Sequence, residues 1–149
     1  MSWGMRTDMQ TEQNKATFKL LHDMASSGDT EKLAKTIHEI TRDDVVLNVP
    51  FPVSEKGAAG LVQIMTAFTA GYPDIRLDVV DMIAEGDKVA RRTVVSGTNT
   101  GPFMGRPATG KSVRYNEIFI MRFVEGKIAE VWGVADTLTQ LIQLGVVDL

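Results

Sequence analysis

The amino-acid sequence predicts a single α+β domain in which a curved antiparallel β-sheet wraps over N-terminal helices. Two observations carry this prediction. The first half of the chain alternates helical and strand-like segments, whereas the second half contains four consecutive strand-like segments joined by short turns. Consecutive strands of this kind pair as antiparallel hairpins, and helices gathered on one face of such a sheet form an α+β domain. A strongly bent sheet over helices would enclose a pocket.

The first half of the chain follows a polar segment, residues 1–11, that we predict to be a flexible N-terminal tail. Apolar residues at helical spacing then predict a helix that ends near Gly28, and Asp29 can cap a second, shorter helix. Val45–Val49 has the pattern of a strand. Residues 58–70 place four apolar side chains on one face of a third helix. The chain therefore begins with the order helix, helix, strand, helix.

The second half of the chain is predicted to be mainly β. Its four strands are Ile75–Ala84, Lys88–Gly97, Ser112–Val124 and Lys127–Val134. Turn residues join the first two strands and the last two, and a terminal amphipathic stretch, 136–144, predicts a closing helix. Since no linker, repeat or low-complexity segment interrupts the pattern, residues 12–149 are predicted to form one domain.

Composition excludes several classes of function. The 149 residues are 44% hydrophobic and 23% charged, which is typical of a soluble globular domain. The net charge of -3, without a basic stripe, argues against binding to nucleic acid. The absence of cysteine and the presence of only two histidines argue against thiolate catalysis and against a metal site. No apolar run resembles a signal peptide or a membrane span, so we expect a cytoplasmic protein without a membrane partner.

One local motif matches a nucleotide-binding pattern. Gly105–Ser112 has the glycine, lysine and serine spacing of a phosphate loop. A phosphate loop leads into a helix, whereas the residues after Ser112 alternate with a period of two and predict a strand. Pro107 also removes one of the backbone amides that a phosphate cradle uses. We therefore interpret the motif as a connection between two strands.

A set of short motifs occurs in a fixed order along the second half of the chain. They are Phe68-x-x-Gly71-Tyr-Pro-Asp-Ile75, Ala84-Glu-Gly-Asp87, Gly97-Thr-x-Thr-Gly101, Phe103-Met-Gly105, Pro107-Ala-Thr-Gly110, Gly126-Lys-Ile-x-Glu130-x-Trp132 and Asp136…Gln143-Leu144-Gly145. Together they resemble the SnoaL-like polyketide cyclase family, within the nuclear-transport-factor-2-like (cystatin-like cone) superfamily. The resemblance covers about residues 12–147. It implies a sheet closed by helices into a cone, and commonly a homodimer.

The resemblance also implies a reaction. Characterised cyclases of this family close a polyketide ring by an intramolecular aldol reaction without a metal or a cofactor, and they use a general acid/base aspartate. The position of that aspartate falls on Gly133 here, and the position of a histidine on the preceding strand falls on Phe119. An asparagine of the family's first strand is matched by Asn48. The superfamily's limonene-epoxide hydrolases use an Asp-Arg-Asp set whose positions fall on Gly133 and near Thr93 and Val95, so that set is absent.

Two carboxylates remain as candidate catalytic groups. Glu117 lies on a strand face that is otherwise apolar, where burial raises the pKa of a carboxyl group and suits it to acid/base work. Alternatively, Glu117 pairs with Arg91 or Arg92 on a neighbouring strand; these two arginines point to opposite faces, so at most one enters the cavity. Asp136 either replaces the missing acid or caps the final helix.

Several further residues are candidates for binding a ligand. They are Asn48, Arg91, Thr93, Tyr115, Phe119, Trp132 and Gly133. For Trp132, packing in the core or at a dimer interface is the alternative to stacking on a ligand. For Asn48, the alternative is satisfying the end of its strand. His22 and His38 are interpreted as surface or structural histidines.

The sequence leaves two functions open. The first is a cofactor-independent cyclase or isomerase that acts on a small hydrophobic carbonyl compound, with Glu117 or Asp136 as its acid/base. The second is a protein of the same fold that binds a small hydrophobic molecule without transforming it. Both predict a homodimer that binds neither metal nor nucleic acid.

Overall fold

The computed structural model describes the backbone of residues 3–149 and the side chains from residue 8 onward. The elements are α1 (Trp3–Ala25), α2 (Thr30–Ile40), β1 (Thr41–Asn48), α3 (Gly57–Gly71), β2 (Arg76–Glu85), β3 (Lys88–Thr98), β4 (Ser112–Val124), β5 (Lys127–Ala135) and α4 (Thr137–Gln143). Their order and type confirm the sequence-based prediction. None of the helices in this described part of the chain combines the length and the hydrophobicity needed to cross a membrane.

The N-terminal helix is longer than the sequence pattern indicates. α1 begins at Trp3, so residues 3–11 are helical where a tail was expected; residues 1 and 2 lie outside the described range. The segment has no proline to stop a helix. The amide of Gln10 donates a 3.0 Å hydrogen bond to Oδ1 of Asn14, one turn further along. Pairs with this spacing stabilise a helix.

The five strands form one open, mixed sheet in the order β1-β5-β4-β3-β2. β2 to β5 pair as antiparallel neighbours, as predicted, whereas β1 runs parallel to β5. Pairing shifts register between Val79 and Asp81 and between Arg122 and Phe123. Such irregularities bend a strand and increase its twist. The sheet therefore curves towards the helices, consistent with the α+β cone.

The strand β4 shows most clearly which face of the sheet is covered. Its residues alternate between buried and exposed along most of its length. The buried set is Val113, Tyr115, Glu117, Phe119, Met121 and Phe123. Because side chains of a strand alternate between the two faces, these six point towards the helices. The core thus lies between this face of the sheet and α1, α2 and α3.

The connection between β3 and β4 is fixed against the end of α3 by one buried asparagine. Asn99 Nδ2 donates to the carbonyl oxygens of Gly71 and Gly101, at 3.2 and 2.9 Å, and its Oδ1 accepts from the Thr109 amide at 2.9 Å. Gly101 lies so close to α3 that a Cβ there would be 1.9 Å from the Ala70 carbonyl oxygen. The phosphate-loop motif falls in this connection and leads into β4, a strand, as the alternation predicts.

Candidate functional site

A cavity of about 60 Å³ lies between the covered face of the sheet and the helices α1 and α3. Its walls are mostly aliphatic and aromatic side chains. Five polar side chains also border it: His22, Thr69, Arg91, Tyr115 and Glu117. Among the candidates named from the sequence, Arg91, Tyr115, Glu117 and Phe119 therefore meet at this cavity. An apolar cavity with a few convergent polar groups is the usual form of a small-molecule site.

The charged centre of the cavity is a buried ion pair. Arg91 Nη1 lies 3.1 Å from Glu117 Oε1, and the two side chains are only 7% and 9% exposed. β3 and β4 pair so that Thr93, rather than Arg91, stands directly opposite Glu117. Arg91 therefore reaches diagonally across the strands, and Nη1 also donates to the Thr93 hydroxyl. The Glu117 carboxylate is thus held in a fixed orientation.

Aromatic rings enclose the guanidinium of Arg91. Its Cζ lies 4.8 Å from the centroid of the Phe18 ring and 5.2 Å from that of Phe119. Rings at this distance attract a cation through their quadrupoles. The neighbouring Arg92 points to the opposite face and pairs with Asp81 at 2.7 Å. The alternation of the strand thus places one arginine inside and one outside, as the sequence predicts.

Burial and the pairing with Arg91 shift the pKa of Glu117 in opposite directions. Loss of solvent raises the pKa of its carboxyl group, and the charge and hydrogen bond of Arg91 partly offset that rise. Within the described residues, its one hydrogen bond is the one that Oε1 accepts from Arg91. A buried carboxylate with an elevated pKa, held in place by a cation, can accept a proton from a bound molecule.

Tyr115 contributes a buried hydroxyl two residues before Glu117 on the same strand. Its side chain is 3% exposed, and the hydroxyl has no hydrogen-bond partner among the residues that the structure describes. Burial raises the pKa of Tyr115, and the nearby negative charge of Glu117 raises it further. The hydroxyl therefore stays protonated at neutral pH. It keeps a proton that can be donated in a hydrogen bond.

His22 is a residue of the cavity that the sequence analysis assigned to the surface or to a structural role. It is 3% exposed and borders the cavity from α1. Burial, together with the positive charge of Arg91, lowers its pKa to about 3, so the imidazole is neutral at physiological pH. Its Nδ1 lies 2.9 Å from the Phe18 carbonyl oxygen. Because a carbonyl only accepts, Nδ1 carries the proton and Nε2 is left as an acceptor.

The two positions at which the family resemblance places a histidine and an aspartate lie against each other. Phe119 and Gly133 are directly paired on β4 and β5. A Cβ on Gly133 would lie 2.2 Å from Phe119 Cε1. The Phe119 ring thus occupies the space in which a side chain at position 133 would stand. Gly133 itself is not among the residues that border the cavity.

Three other candidates lie away from the cavity. Asp136 caps α4, where its carboxylate accepts from the Thr139 amide at 3.1 Å and from the Thr139 hydroxyl at 2.7 Å. These hydrogen bonds lower its pKa, which disfavours an acid role. Asn48 and Trp132 are register partners on β1 and β5 and share the outer face of the sheet. Trp132 is 55% exposed there. Asp136 thus has the capping role that was the alternative to an acid role, and Asn48 and Trp132 are not among the residues that border the cavity.

Comparison with known proteins places this geometry in a family. The family model for SnoaL-like polyketide cyclases matches residues 15–144. IdmH, a candidate polyketide cyclase from Streptomyces antibioticus, is 31% identical over 90% of this chain and 99% of IdmH, with a TM-score of 0.75. AclR, a candidate hydroxylase from Streptomyces galilaeus, is 29% identical over 93% of this chain and 85% of AclR, with a TM-score of 0.78.

A third structure supports the fold alone. It is a candidate SnoaL-like polyketide cyclase from Jannaschia sp. CCS1, 20% identical over 93% of this chain and 95% of its own, with a TM-score of 0.81. No curated protein matches the sequence. The family model spans most of the chain and confirms the resemblance read from the ordered motifs. The chain therefore belongs to the SnoaL-like polyketide cyclase family.

Proposed function

We propose that this protein binds a small, neutral, largely apolar carbonyl compound in the cavity and transfers a proton on it, in the manner of a cyclase or isomerase. The single observation that carries the proposal is that Tyr115 borders the cavity and that its hydroxyl, two residues from Glu117, is buried without a partner among the described residues. A buried hydroxyl without a partner costs free energy in the unliganded protein. A ligand that accepts its hydrogen bond removes that cost.

The charges around the cavity favour a neutral ligand. Arg91 is compensated by Glu117, and His22 is uncharged at physiological pH. An anionic ligand would add a charge without a counter-ion in a buried and mostly apolar site, which is unfavourable. A neutral molecule adds no charge.

Tyr115 and Glu117 are suited to complementary roles. The protonated Tyr115 hydroxyl can donate to a carbonyl oxygen and stabilise the negative charge that develops there when an adjacent carbon loses a proton. Glu117 can take that proton, because burial raises its pKa. Their Cα atoms stand about 7 Å apart along the strand, from a rise of about 3.4 Å per residue. One carbonyl group and its neighbouring carbon can lie between the two side chains.

The size of the cavity limits the ligand. A volume of about 60 Å³ holds about four to six water molecules, at roughly 10–15 Å³ each. A molecule larger than one ring therefore needs movement of the side chains that border the cavity. Met65 and Met121 are among them, and methionine adapts more readily than other apolar side chains because it is unbranched.

Deuterium exchange into a small ketone tests the proposed reaction without knowledge of the natural substrate. Cyclohexanone would be incubated with the protein in D₂O, and loss of the α-proton signal followed by NMR. We expect the wild-type protein to accelerate the exchange and Tyr115→Phe to lower the rate about a hundredfold, the usual effect of removing one donor to a developing oxyanion. Tyr72→Phe is the matched control, because Tyr72 is also a buried tyrosine but lies outside the cavity.

A second function, binding without catalysis, is supported by the Phe119 ring, which fills the space at Gly133 where the family places its acid. The same experiment separates the two functions. Cyclohexanone that binds the cavity but exchanges no faster than in buffer would show a binding protein. Accelerated exchange that survives Tyr115→Phe would exclude the proposed role of Tyr115.

A further inference from the structure

His22 borders the cavity, and its imidazole carries a hydrogen-bond acceptor. Its Nδ1–H is engaged by the Phe18 carbonyl oxygen at 2.9 Å, which fixes the neutral tautomer. Its Nε2 is buried and has no hydrogen-bond partner among the residues from 8 to 149 whose side chains are described. An apolar side chain would fill this position of α1 without the cost of an unpaired nitrogen. Packing alone therefore does not account for the histidine.

Arg91, which also borders the cavity, carries a buried hydrogen-bond donor. Arg91 Nε is buried and, within the same described residues, has no partner either, although Nη1 bonds Glu117 and Thr93. Both side chains pack against one ring: the imidazole centroid lies 5.4 Å from the centroid of Phe18, and Arg91 Cζ lies 4.8 Å from it. Both side chains therefore contact the same ring, and each has one buried polar atom without a partner among the described residues.

A hydroxyl group is the simplest chemical group that satisfies both atoms. Its hydrogen can be donated to Nε2, and its oxygen can accept from Nε. A carbonyl oxygen satisfies the arginine only, and a methyl group satisfies neither. We propose that His22 is a specificity-determining residue, whose Nε2 accepts a hydrogen bond from a hydroxyl of the ligand while Arg91 Nε donates to the same oxygen. This inference rests on the proposed function, since it assigns a second polar group to the carbonyl ligand of that cavity.

The arrangement separates two recognition points along the sheet. Arg91 stands opposite Phe119, whereas Tyr115 stands opposite Val95, four residues away on each strand. A hydroxyl at the His22 end and a carbonyl at the Tyr115 end would fix the orientation of a ligand that otherwise makes only apolar contacts. His22 therefore selects among carbonyl compounds by their hydroxyl group.

A pair of probes of similar shape tests the inference. 4-Fluorophenol and 4-fluorotoluene differ only by a hydroxyl in place of a methyl group, and ¹⁹F NMR gives the dissociation constant of each. The measured quantity is the ratio of the two dissociation constants. It is compared between the wild-type protein and the variants His22→Phe and His22→Leu, and two variants are used so that at least one folds. Removal of one hydrogen bond is expected to weaken the binding of 4-fluorophenol relative to 4-fluorotoluene by about fivefold to tenfold. His38→Phe, at an exposed histidine, should leave it unchanged.

A second measurement reports on His22 directly. In the wild-type protein, 4-fluorophenol should shift the ¹⁵N resonance of the unprotonated Nε2, and 4-fluorotoluene should not. A ratio that stays unchanged in both His22 variants, or an Nε2 shift common to both probes, would overturn the role of His22 and leave the cavity as a binding site. Failure of both probes to bind the wild-type protein would overturn this inference, whereas the exchange of deuterium into cyclohexanone tests the proposed function separately.

Discussion

The ring of Phe119 covers Gly133 on the neighbouring strand so closely that neither residue can be considered alone. The two are register partners on β4 and β5, and a Cβ on Gly133 would lie between 2.2 and 2.5 Å from three atoms of the ring. These are the positions at which the family resemblance places a histidine and an aspartate. Glycine at one position is what allows phenylalanine at the other, so the two departures from the family pattern form one structural change.

We expect the two positions to be strongly coupled in a double-mutant cycle. Gly133→Ala should lower the free energy of unfolding by about 1–3 kcal/mol, because its methyl group overlaps the Phe119 ring. Phe119→Ala should cost about 3–5 kcal/mol through the cavity that it leaves. In the double variant the alanine methyl at 133 has room, so the combined cost should be smaller than the sum by at least about 1 kcal/mol. Urea denaturation of the four proteins measures this difference.

The matched control is Gly28→Ala, because an added Cβ at that position would contact no other atom. Gly28 has open space around its Cβ position, but a positive φ of 79° strains alanine there. The cost of Gly28→Ala should therefore be independent of Phe119, and the cycle between those two positions should show additive effects. Additive effects between positions 119 and 133 as well would contradict the contact between the ring and the glycine.

The element order and the inward face of β4 are predictable because they follow from local patterns. In β4 the polar residues Arg114, Asn116 and Arg122 mark one face as exposed, and the alternation of side chains then brings Tyr115, Glu117 and Phe119 inside together. β1 offers no such pattern, since Val45, Val46 and Leu47 are all apolar. Its register with β5 turns Leu47 inward and Asn48 outward. Sequence alone contains no information on that pairing.

His22 shows a second reason why the site cannot be predicted completely from the sequence. It lies four residues after Phe18 and three before Ala25, so helical spacing places it within the apolar stripe of α1. That signal was present in the sequence. The role that we propose for the position depends on Arg91, which follows almost 70 residues later and reaches the same ring of Phe18 only in the folded protein. The unpaired state of Nε2 is a property of the assembled cavity, and no local pattern encodes it.

The ion pair between Arg91 and Glu117 should be costly to break and inexpensive to replace. Glu117→Gln leaves a buried guanidinium without a counter-charge, and we expect it to lower the free energy of unfolding by about 3–5 kcal/mol. Replacement of both members, in Arg91→Met/Glu117→Leu, should restore most of that loss. Urea denaturation tests both statements. The loss of activity in Glu117→Gln would therefore have to be corrected for loss of folded protein.

The exposed pair of Arg92 with Asp81 provides the comparison on the other face of the same strands. Asp81→Asn should cost less than about 1 kcal/mol, because solvent screens an exposed ion pair. If Glu117→Gln costs no more than Asp81→Asn, the buried guanidinium does not depend on Glu117 for its stability.

The stability of the protein should fall between pH 7.5 and pH 4.5 because of His22. The pKa of this imidazole is 6.5 in the unfolded chain and about 3 in the folded protein. Below pH 6.5 the unfolded chain therefore binds a proton that the folded protein does not bind. The neutral imidazole therefore makes its full contribution to the free energy of unfolding above pH 6.5, and this contribution is lost as the pH falls towards 3. At pH 4.5 the loss amounts to roughly 3 kcal/mol, at 1.36 kcal/mol per unit of pKa.

The variant His22→Leu isolates this effect, because every other titrating group is common to both proteins. Glu117 acts in the opposite direction: its raised pKa favours the folded protein as the pH falls. The difference in free energy of unfolding between wild type and His22→Leu should therefore change by roughly 3 kcal/mol across this range. A difference that is constant with pH would mean that the imidazole reaches solvent in the folded protein.

The outer face of the sheet is expected to form the homodimer that the family resemblance implies. Ile118 and Ile120 on β4 stand directly opposite Val134 and Trp132 on β5, and all four side chains are at least 41% exposed. Four adjacent large apolar residues on one sheet face are an unfavourable surface to leave in water.

Ile120→Lys should convert the dimer into a monomer in sedimentation velocity, because it places a charge at the centre of the patch. Leu138→Lys removes an exposed apolar residue from α4, outside the patch, and should leave the dimer intact. A wild-type protein that sediments as a monomer at high concentration, or an Ile120→Lys variant that remains dimeric, would exclude this face as the interface.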